Sequence, residues 1–447
     1  MMTNNIKEIV NIALEMAKEA GCTASRAGAE ISVQSSFTVR NNILDRLQSS
    51  TGSTLFLQLF TEGRYGYFST NRTESDELSV FIKNATEATR LIAPDSDRVL
   101  TPRELLYSGD NIDLGQYDNS FYSISPQEKR EAAFRCSEEI FEKDSRIISS
   151  NCEYGDSLEL YYMADSEGFT GESAQTTFSV SAECSARDKG GARPEAWWYE
   201  SSMYYSDLNI SGCGDRAMQR ALSRLGSKKL KSGKYNMVLE NSVASRVVSP
   251  IISALNGASI HQNNSFLAGK LGERLFPENL HFMDRPHLYG YEGSRMFDSE
   301  GIATRSMNII DGGIITNYYL NTYNARKLNM SPTIEGPSLL SISLNGTFPG
   351  ESPKVGLDQI LKETGKGIFI TGFNGGNSNS SSGDFSFGVQ GFYFENGAIL
   401  HPIKEMIVTG NIVELWNSIK IAGDDPKRGS RWLIPTLMFE SITFNGI

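Results

Sequence analysis

Phe392–Leu400 (FYFENGAIL) is the stretch that decides the fold class of the last third of the chain. An Asn-Gly pair between two runs of strand-forming residues is a strong local signal for a two-residue β-hairpin turn. Ile309–Ile315 (IIDGGII) has the same form with a Gly-Gly turn. Glycine marks turns, and 22 of the 41 glycines fall in residues 290–447. This third is therefore predicted to be a Gly-rich, mostly antiparallel β domain.

Upstream of this domain, helical and strand patterns alternate. Apolar residues at helical spacing predict a first helix from about Ile6 to Ala20. Residues 30–70 contain several strand-like runs, and a second helix is expected from about Glu74 to Ala93. Ser125–Glu128 (SPQE) is a helix start, with a Ser cap, Pro in the first turn and Glu three residues after the cap. The predicted class is α+β, with an N-terminal region of helices and antiparallel sheet before the C-terminal β domain.

Two segments indicate domain boundaries. Residues 95–124 are irregular, and Lys228–Lys234 (KKLKSGK) is a basic linker. We predict an N-terminal α+β domain at 1–116, a middle α+β region at 117–230 and a β-rich C-terminal domain at 231–447.

Composition limits the classes of partner. The 447 residues include 42 Lys and Arg against 53 Asp and Glu, a net charge of −11. Direct nucleic-acid binding is not expected, because it needs clustered cations. The chain contains neither a run of 18 apolar residues nor a visible secretory signal, so no membrane segment is expected. Five widely spaced cysteines, an odd number, predict reduced thiols and a cytoplasmic protein.

Short motifs that carry chemistry are few. Gly212–Ala217 (GCGDRA) imitates a dinucleotide fingerprint but lacks the strand that should precede it, so we interpret it as a loop-to-helix turn. Asn374–Ser382 (NGGNSNSSS) is expected to be a mobile loop. The acid pairs Glu138-Glu139 and Asp298 with Glu300 are interpreted as solvated surface.

Three residues of one segment offer metal-binding groups. His281, Asp284 and His287 supply two imidazoles and a carboxylate. They lie in a short stretch that contains a proline, so a polar loop is the competing interpretation. By itself, the motif search finds no self-sufficient active site.

The chain resembles the TldD/PmbA family along almost its whole length, and specifically the PmbA (TldE) branch. Members of this family have been labelled modulators of DNA gyrase. The resemblance depends on the order and spacing of the following segments: Val39–Leu44 (VRNNIL), Gly63–Thr70 (GRYGYFST), Ser125–Lys129 (SPQEK), Ala254–Gly257 (ALNG), Ser265–Gly272 (SFLAGKLG), Phe297–Gly301 (FDSEG), Ser382–Phe392 (SGDFSFGVQGF), Glu395–Gly397 (ENG) and Ala422–Asp425 (AGDD).

The resemblance implies a cytoplasmic metalloprotease made of two related subunits. The TldD-type subunit holds one zinc through a helical His-Glu-x-x-x-His segment and a late cysteine. Here that segment aligns with Val248–Ser253, so Val248 and Ser253 replace the histidines and Ser249 replaces the glutamate; no cysteine follows Cys213. Zinc is therefore expected in the TldD-type partner, with no metal and no catalytic residue in this chain. Pro250 favours a kink or a helix start at that point.

The same resemblance suggests a role in peptide binding. In the TldD-type fold the metal lies near the Gly-rich segment that corresponds to Gly372–Gly391 here. An unfolded peptide could add to the edge of its sheet as an extended strand. The candidate residues are Gly383, Asp384, Ser386, Gly388 and Gly391. In the competing interpretation these glycines serve only turns and bulges.

Three functions therefore stay open at this point. The first is a metal-free subunit that works with a TldD-type partner on unfolded peptides. The second is an autonomous metal-dependent hydrolase that uses His281, Asp284 and His287. The third is a regulatory module acting on DNA gyrase. Whether the chain is itself an enzyme is undecided, and both a homodimer in isolation and a pseudo-symmetric heterodimer are compatible with the family.

Overall fold

A computed structural model describes residues 2–109, 112–348 and 355–446. Within them the helices are α1 (Met2–Glu19), α2 (Ser75–Arg90), α3 (Pro126–Glu138), α4 (Cys213–Ser223), α5 (Ser245–Ala254), α6 (Gly257–His261), α7 (Thr322–Lys327), α8 (Leu357–Thr364) and α9 (Ile412–Asn417). The strands are β1 (Ala24–Arg40), β2 (Ile43–Thr61), β3 (Arg64–Thr70), β4 (Ile147–Asp165), β5 (Thr170–Ala186), β6 (Glu195–Ser202), β7 (Gly233–Leu239), β8 (Leu280–Asp284), β9 (Met307–Asp311), β10 (Ile314–Ile315), β11 (Leu340–Leu344), β12 (Lys366–Ser378), β13 (Asp384–Glu395), β14 (Ala398–Asn411), β15 (Ile419–Ala422), β16 (Trp432–Leu433) and β17 (Leu437–Gly446).

The N-terminal half is built on one antiparallel sheet in the order β3-β2-β1-β4-β5-β6. Successive side chains of a strand point to opposite faces. On β1, Ala27, Ala29 and Ile31 enter the core beneath the helices, whereas Arg26 and Glu30 belong to the opposite face. The sheet combines strands from residues 1–116 with strands from 117–230, and the domain boundaries themselves stay predictions.

Helices α1, α3 and α4 cover the core face of this sheet. The start of α3 is confirmed, because Ser125 and Glu128 form the reciprocal capping box. At the start of α4, the Glu139 carboxylate accepts N–H bonds from Gly212 (2.7 Å) and Gly214 (2.8 Å). Gly212–Ala217 is thus a loop-to-helix turn whose free N–H groups are capped by protein. Across the described ranges, no helix is both long and apolar enough to cross a membrane.

The C-terminal part contains two further sheets around a second core. One has the order β10-β9-β8-β11-β16, and the other β14-β13-β12-β7-β17-β15. An additional β14–β17 pairing closes most of the latter into a barrel-like ring. Both predicted hairpins are present, with Asp311 pairing Ile314 and Glu395 pairing Ala398. The α+β class with mainly antiparallel sheets is confirmed.

The Gly-rich stretch Asn374–Ser382 was expected to be a loop, which is wrong for its first half. Strand β12 continues to Ser378, and Asn377 and Ser378 pair with Ser386 and Phe385. Gly375 and Gly376 have φ of +81° and +84° and lie at a register shift. Glycine adopts this conformation without a steric penalty, so the strand bends there and continues instead of ending.

Candidate functional site

Helix α5 carries the positions at which the resemblance places the metal ligands. Val248 is fully buried in the C-terminal core, and Ser253 is exposed. The Ser249 hydroxyl donates a 2.9 Å bond to the carbonyl of Ser245 in the same helix. A valine side chain has no atom that can bind a metal ion, and neutral serine hydroxyls are not among the usual zinc ligands. These residues do not fit a metal.

Pro250 lies inside α5, which begins five residues earlier at Ser245. The alternative in which the proline starts the helix is therefore wrong. Proline has no N–H, so the i−4 carbonyl of Arg246 receives no bond from this position.

Helix α5 is held between the Gly-rich strands and α9. The Arg246 guanidinium lies 4.5 Å from the centre of the Phe387 ring on β13 and donates to the carbonyl of Gly376 on β12. On the other side, the Trp416 indole donates a 3.0 Å bond to the carbonyl of Val247. The substituted motif and the Gly-rich strands therefore form one continuous part of the structure.

The candidate peptide-binding residues lie along β13. Asp384 and Ser386 are exposed on its outer face. Hydrogen bonds from Asn411 and Ser382 lower the pKa of the Asp384 carboxyl. Gly383 has φ of +79° at the turn before the strand. These positions provide a polar surface, and their role in peptide binding stays a prediction.

Peptide addition at the edge of this segment needs a correction, because β13 is not an edge strand. It pairs with β12 on one side and with β14 on the other along its length. The available edge belongs to β12. Strand β7 pairs only with Ile368, Phe369 and Ile370, so residues 372–378 extend past it beside α5. Residues 374–377 of that segment are exposed.

The alternative metal cluster begins on β8. The Nδ1 atom of His281 lies 2.7 Å from an Asp311 carboxylate oxygen. Asp284 is three residues further along the strand and thus on the opposite face. It is fully buried and accepts N–H bonds from Ser338 and Leu339. Burial raises the pKa of Asp284 although these bonds oppose the shift.

The third member of the proposed cluster has its own partner. The Nε2 atom of His287 lies 3.0 Å from the Thr304 hydroxyl, and burial lowers the pKa of the imidazole. Within residues 2–109, 112–348 and 355–446, no three His, Cys, Asp or Glu side chains are grouped closely enough to hold a metal. The structure does not bring the three predicted ligands together.

Asp298 is buried, so the expectation of a solvated pair with Glu300 is wrong for this residue. It is 2% exposed, and its Oδ1 atom accepts N–H bonds from Glu300 and Ile302 at 2.9 Å. Its Oδ2 atom accepts the N–H of Glu335, whose own carboxylate receives a 2.8 Å bond from Arg295. In the sequence, the signal for this site is the turn Asp298-Ser299-Glu300-Gly301. In turns of this kind the Asp side chain accepts hydrogen bonds from nearby backbone N–H groups.

The pKa values of the Asp298 and Glu335 carboxyl groups are shifted in opposite directions. Burial, followed by the neighbouring Glu335 carboxylate, raises the pKa of Asp298. Burial opposes the shift at Glu335, but hydrogen bonds from Asp298 and Arg295 lower its pKa. The buried Glu335 Oε2 atom has no hydrogen-bond partner among the described groups. A proton on the neighbouring Asp298 would supply a donor for it.

Comparison with known proteins places this architecture in a family. Three family models match in order: PmbA/TldA metallopeptidase domain 1 at residues 28–89, the central domain at 119–225 and the C-terminal domain at 232–446. The chain belongs to the PmbA/TldA metallopeptidase family. The family indicated by the sequence motifs is confirmed.

Individual relatives cover 94–100% of the chain. Metalloprotease PmbA of Escherichia coli O157:H7 is 28% identical in an alignment of 429 positions that covers 94% of this chain and 91% of that protein. The crystal structure of a proposed modulator of DNA gyrase from Bacteroides thetaiotaomicron VPI-5482 is 44% identical, with a TM-score of 0.95 and full coverage of both chains. TldE of Thermococcus kodakarensis shares the fold at 18% identity, with a TM-score of 0.80 over 98% of this chain and all of its own.

Proposed function

We propose that this chain is a PmbA/TldE-type subunit of a two-component cytoplasmic metalloprotease that degrades or trims unfolded peptides. In this proposal the TldD-type partner holds the catalytic zinc and this chain holds none. The observation that carries it is the buried Val248, which stands on α5 where the family's first metal-binding histidine is expected. The name of the relative from Escherichia coli, metalloprotease PmbA, supports the reaction class.

This subunit would contribute a surface for extended peptides. The edge of β12 that β7 leaves unpaired, residues 372–378, offers main-chain groups next to α5, except for the Gly376 carbonyl, which Arg246 occupies. Main-chain pairing holds a peptide with little dependence on its sequence, as the degradation of unfolded chains requires. Asp384 and Ser386 add polar contacts on the neighbouring strand, where both side chains are exposed.

Metal content and reconstitution test the proposal together. The chain is loaded with excess zinc, desalted and analysed by elemental mass spectrometry, alone and with a TldD-type partner. We expect well below one zinc per chain alone, and degradation of an unfolded peptide only in the mixture. A partner in which the motif glutamate is replaced by glutamine is the control and should leave the mixture inactive.

Two results would overturn the proposal. One zinc held tightly by the isolated chain would show that other ligands form a site. Equal peptide degradation by the partner alone and by the mixture would show that this chain contributes nothing to the reaction.

A further inference from the structure

A large cleft lies between the C-terminal part of the chain and the face of the first sheet that is opposite α1, α3 and α4. Its volume is about 1010 Å³, and its second wall is formed by the segment Glu292–Ser299. Small-ligand pockets typically enclose roughly 300–1,000 Å³. The cleft is separate from α5 and β12, neither of which lines it. It therefore has room for a ligand that the proposed function does not assign.

The cleft is acidic. Six carboxyl side chains line it against three arginines and no lysine: Glu30, Asp113, Glu159, Glu172, Glu292 and Asp298 on one hand, and Arg26, Arg295 and Arg431 on the other. Two of the arginines already bond to protein acceptors, Arg26 to Gln58 and Arg295 to Glu335. Of the six carboxyls, Glu172 is paired with Lys7 and Asp298 has a raised pKa, and the remaining four still favour a ligand that brings positive charge.

Three of the carboxylates form one group across the cleft. Glu30 on β1 pairs with Tyr161 on β4, so Glu159, two residues before Tyr161, is its diagonal neighbour on the same face. Glu292 approaches from the opposite wall. Burial and the nearby Glu159 raise the pKa of Glu30. Burial also raises the pKa of Glu292, where Arg431 opposes the shift and Glu159 adds to it. In the described part of the chain no ion pair joins Glu30 or Glu159 to a cation.

Aromatic rings stand beside these carboxylates. Phe56 and Tyr67 stack with ring centres 6.4 Å apart on the sheet side, and Tyr107 stacks on Phe297 at 5.5 Å on the other side. Carboxylates together with ring faces suit an alkylammonium or guanidinium group, because both attract cations.

A second, independent feature is an unsatisfied donor. Arg26 lines the cleft, is only 3% exposed, and its Nε atom has no partner among the described groups. Its Nη atoms bond to Gln58 at 3.3 Å and Thr101 at 3.2 Å, and Nη2 lies 3.9 Å from a carboxylate oxygen of the buried Asp165. A buried donor without a partner is costly, so an acceptor oxygen on the ligand would be favourable here. The ligand is thus expected to carry both a cation and an acceptor.

We propose that the cleft binds a short peptide with a Lys or Arg side chain, the cationic group lying among Glu30, Glu159 and Glu292 and a carbonyl or carboxylate oxygen reaching Arg26. A peptide supplies both kinds of group, whereas a polyamine supplies only the cation. This site goes beyond the proposed function and does not depend on a TldD-type partner.

Calorimetric titration of the isolated full chain tests the inference. The probes are a five-residue peptide with a central arginine, the same peptide with the neutral isostere citrulline, and spermidine. We expect the arginine peptide to bind at least about tenfold more tightly than the other two at low salt, and its affinity to fall as salt rises.

Variants locate the binding. The double change Glu30→Gln with Glu159→Gln should weaken the arginine peptide about tenfold or more. Glu183→Gln is the matched control, since Glu183 is an exposed carboxylate of the same sheet outside the cleft, and it should leave binding unchanged. Equal affinity for the citrulline peptide, or no effect of the double change, would overturn the site. Tighter binding of spermidine would overturn the peptide assignment.

Discussion

At the residue scale, the glycines of β13 show that a glycine needed for close strand packing cannot be distinguished in sequence from one that contacts a ligand. A Cβ atom on Gly388 would lie 2.4 Å from the carbonyl oxygen of Asn374, and one on Gly391 would lie 2.1 Å from that of Phe369. Both contacts are with the paired strand β12, so a larger side chain would separate the strands. Substitutions at these glycines disturb packing, and a change at Asp384 also removes its bonds from Asn411 and Ser382, so the exposed Ser386 is the better reporter of peptide contact.

The raised pKa of Asp298, caused by burial and the neighbouring Glu335 carboxylate, predicts an unusual dependence of stability on pH. Because the native pKa of Asp298 is raised, its contribution to the free energy of unfolding is complete below the unfolded value of about 4. That contribution declines as pH rises toward the native pKa. We therefore expect the stability difference between the wild type and Asp298→Asn, measured by urea unfolding, to shrink from pH 5 to pH 9.

Asp384→Asn is the matched control for this experiment. The pKa of Asp384 is lowered, so its contribution is present above the unfolded pKa and is lost as pH falls. Both the native and the unfolded pKa of Asp384 lie below pH 5, so the difference between the wild type and this variant should stay constant from pH 5 to pH 9 and shrink only on acidification below about pH 4. A constant difference for Asp298→Asn from pH 5 to pH 9 would contradict a raised pKa of Asp298.

The burial of Asp298 also marks a limit of sequence interpretation. Its turn with Glu300 and Ile302 is local and was recognisable from residue spacing. Its partner Glu335 is 37 residues away, and nothing between the two positions indicates that they meet. A carboxylate is expected on the surface unless such a partner is known.

At the element scale, the contact between α5 and β12 holds in place the edge of β12 that β7 leaves unpaired, residues 372–378. Arg246 joins the two by bonding to Gly376 while its guanidinium packs on Phe387. We expect Arg246→Ala to lower the free energy of unfolding by about 1–3 kcal/mol, since a charged hydrogen bond and a cation–π contact are lost. Hydrogen exchange should become faster at residues 372–378.

An arginine on the surface provides the comparison for this change. Arg274 makes a bond to the carbonyl of Gly312 and an ion pair with Glu278, but it is half exposed and away from β12. Arg274→Ala should change stability by less than about 1 kcal/mol and leave exchange at residues 372–378 as in the wild type. Unchanged exchange in Arg246→Ala would show that other contacts hold the strand.

The secondary-structure elements differ in how well they could be predicted from the sequence. The hairpin at Asn396-Gly397 was predictable because its turn chemistry is local. The continuation of β12 through Asn374–Ser378 was not, because its pairing with β13 overrides a composition typical of loops. Val248 and Ser249 could be assigned from motif spacing, whereas the free edge beside them depends on where β7 ends.

At the scale of the whole molecule, two large hydrophobic cores remain separate. One lies under the first sheet, and the other fills the C-terminal part. A small cluster connects them: Met163 and Phe169 come from the first sheet and its turn, and Phe297 comes from the C-terminal part. The Phe169 and Phe297 rings meet edge to face, with centres 5.9 Å apart. Polar contacts join the two parts as well, among them the Arg220–Glu240 ion pair and the bonds from Gln116 to Tyr291 and Ser294, so the cluster is the apolar component of this connection.

Removing this bridge should uncouple the two cores. We expect Phe297→Ala to divide thermal unfolding, followed by calorimetry, into two transitions, because each core stays intact while the ring that joins them is lost. Phe169→Ala removes the opposite side of the same contact and should give the same division. Phe297→Leu keeps most of the apolar volume and should preserve a single transition. If Phe297→Ala merely lowers the temperature of a single transition, polar contacts couple the cores, and the ion pairs of Lys327 with Asp95 and Asp97 and of Arg220 with Glu240 are the next contacts to remove.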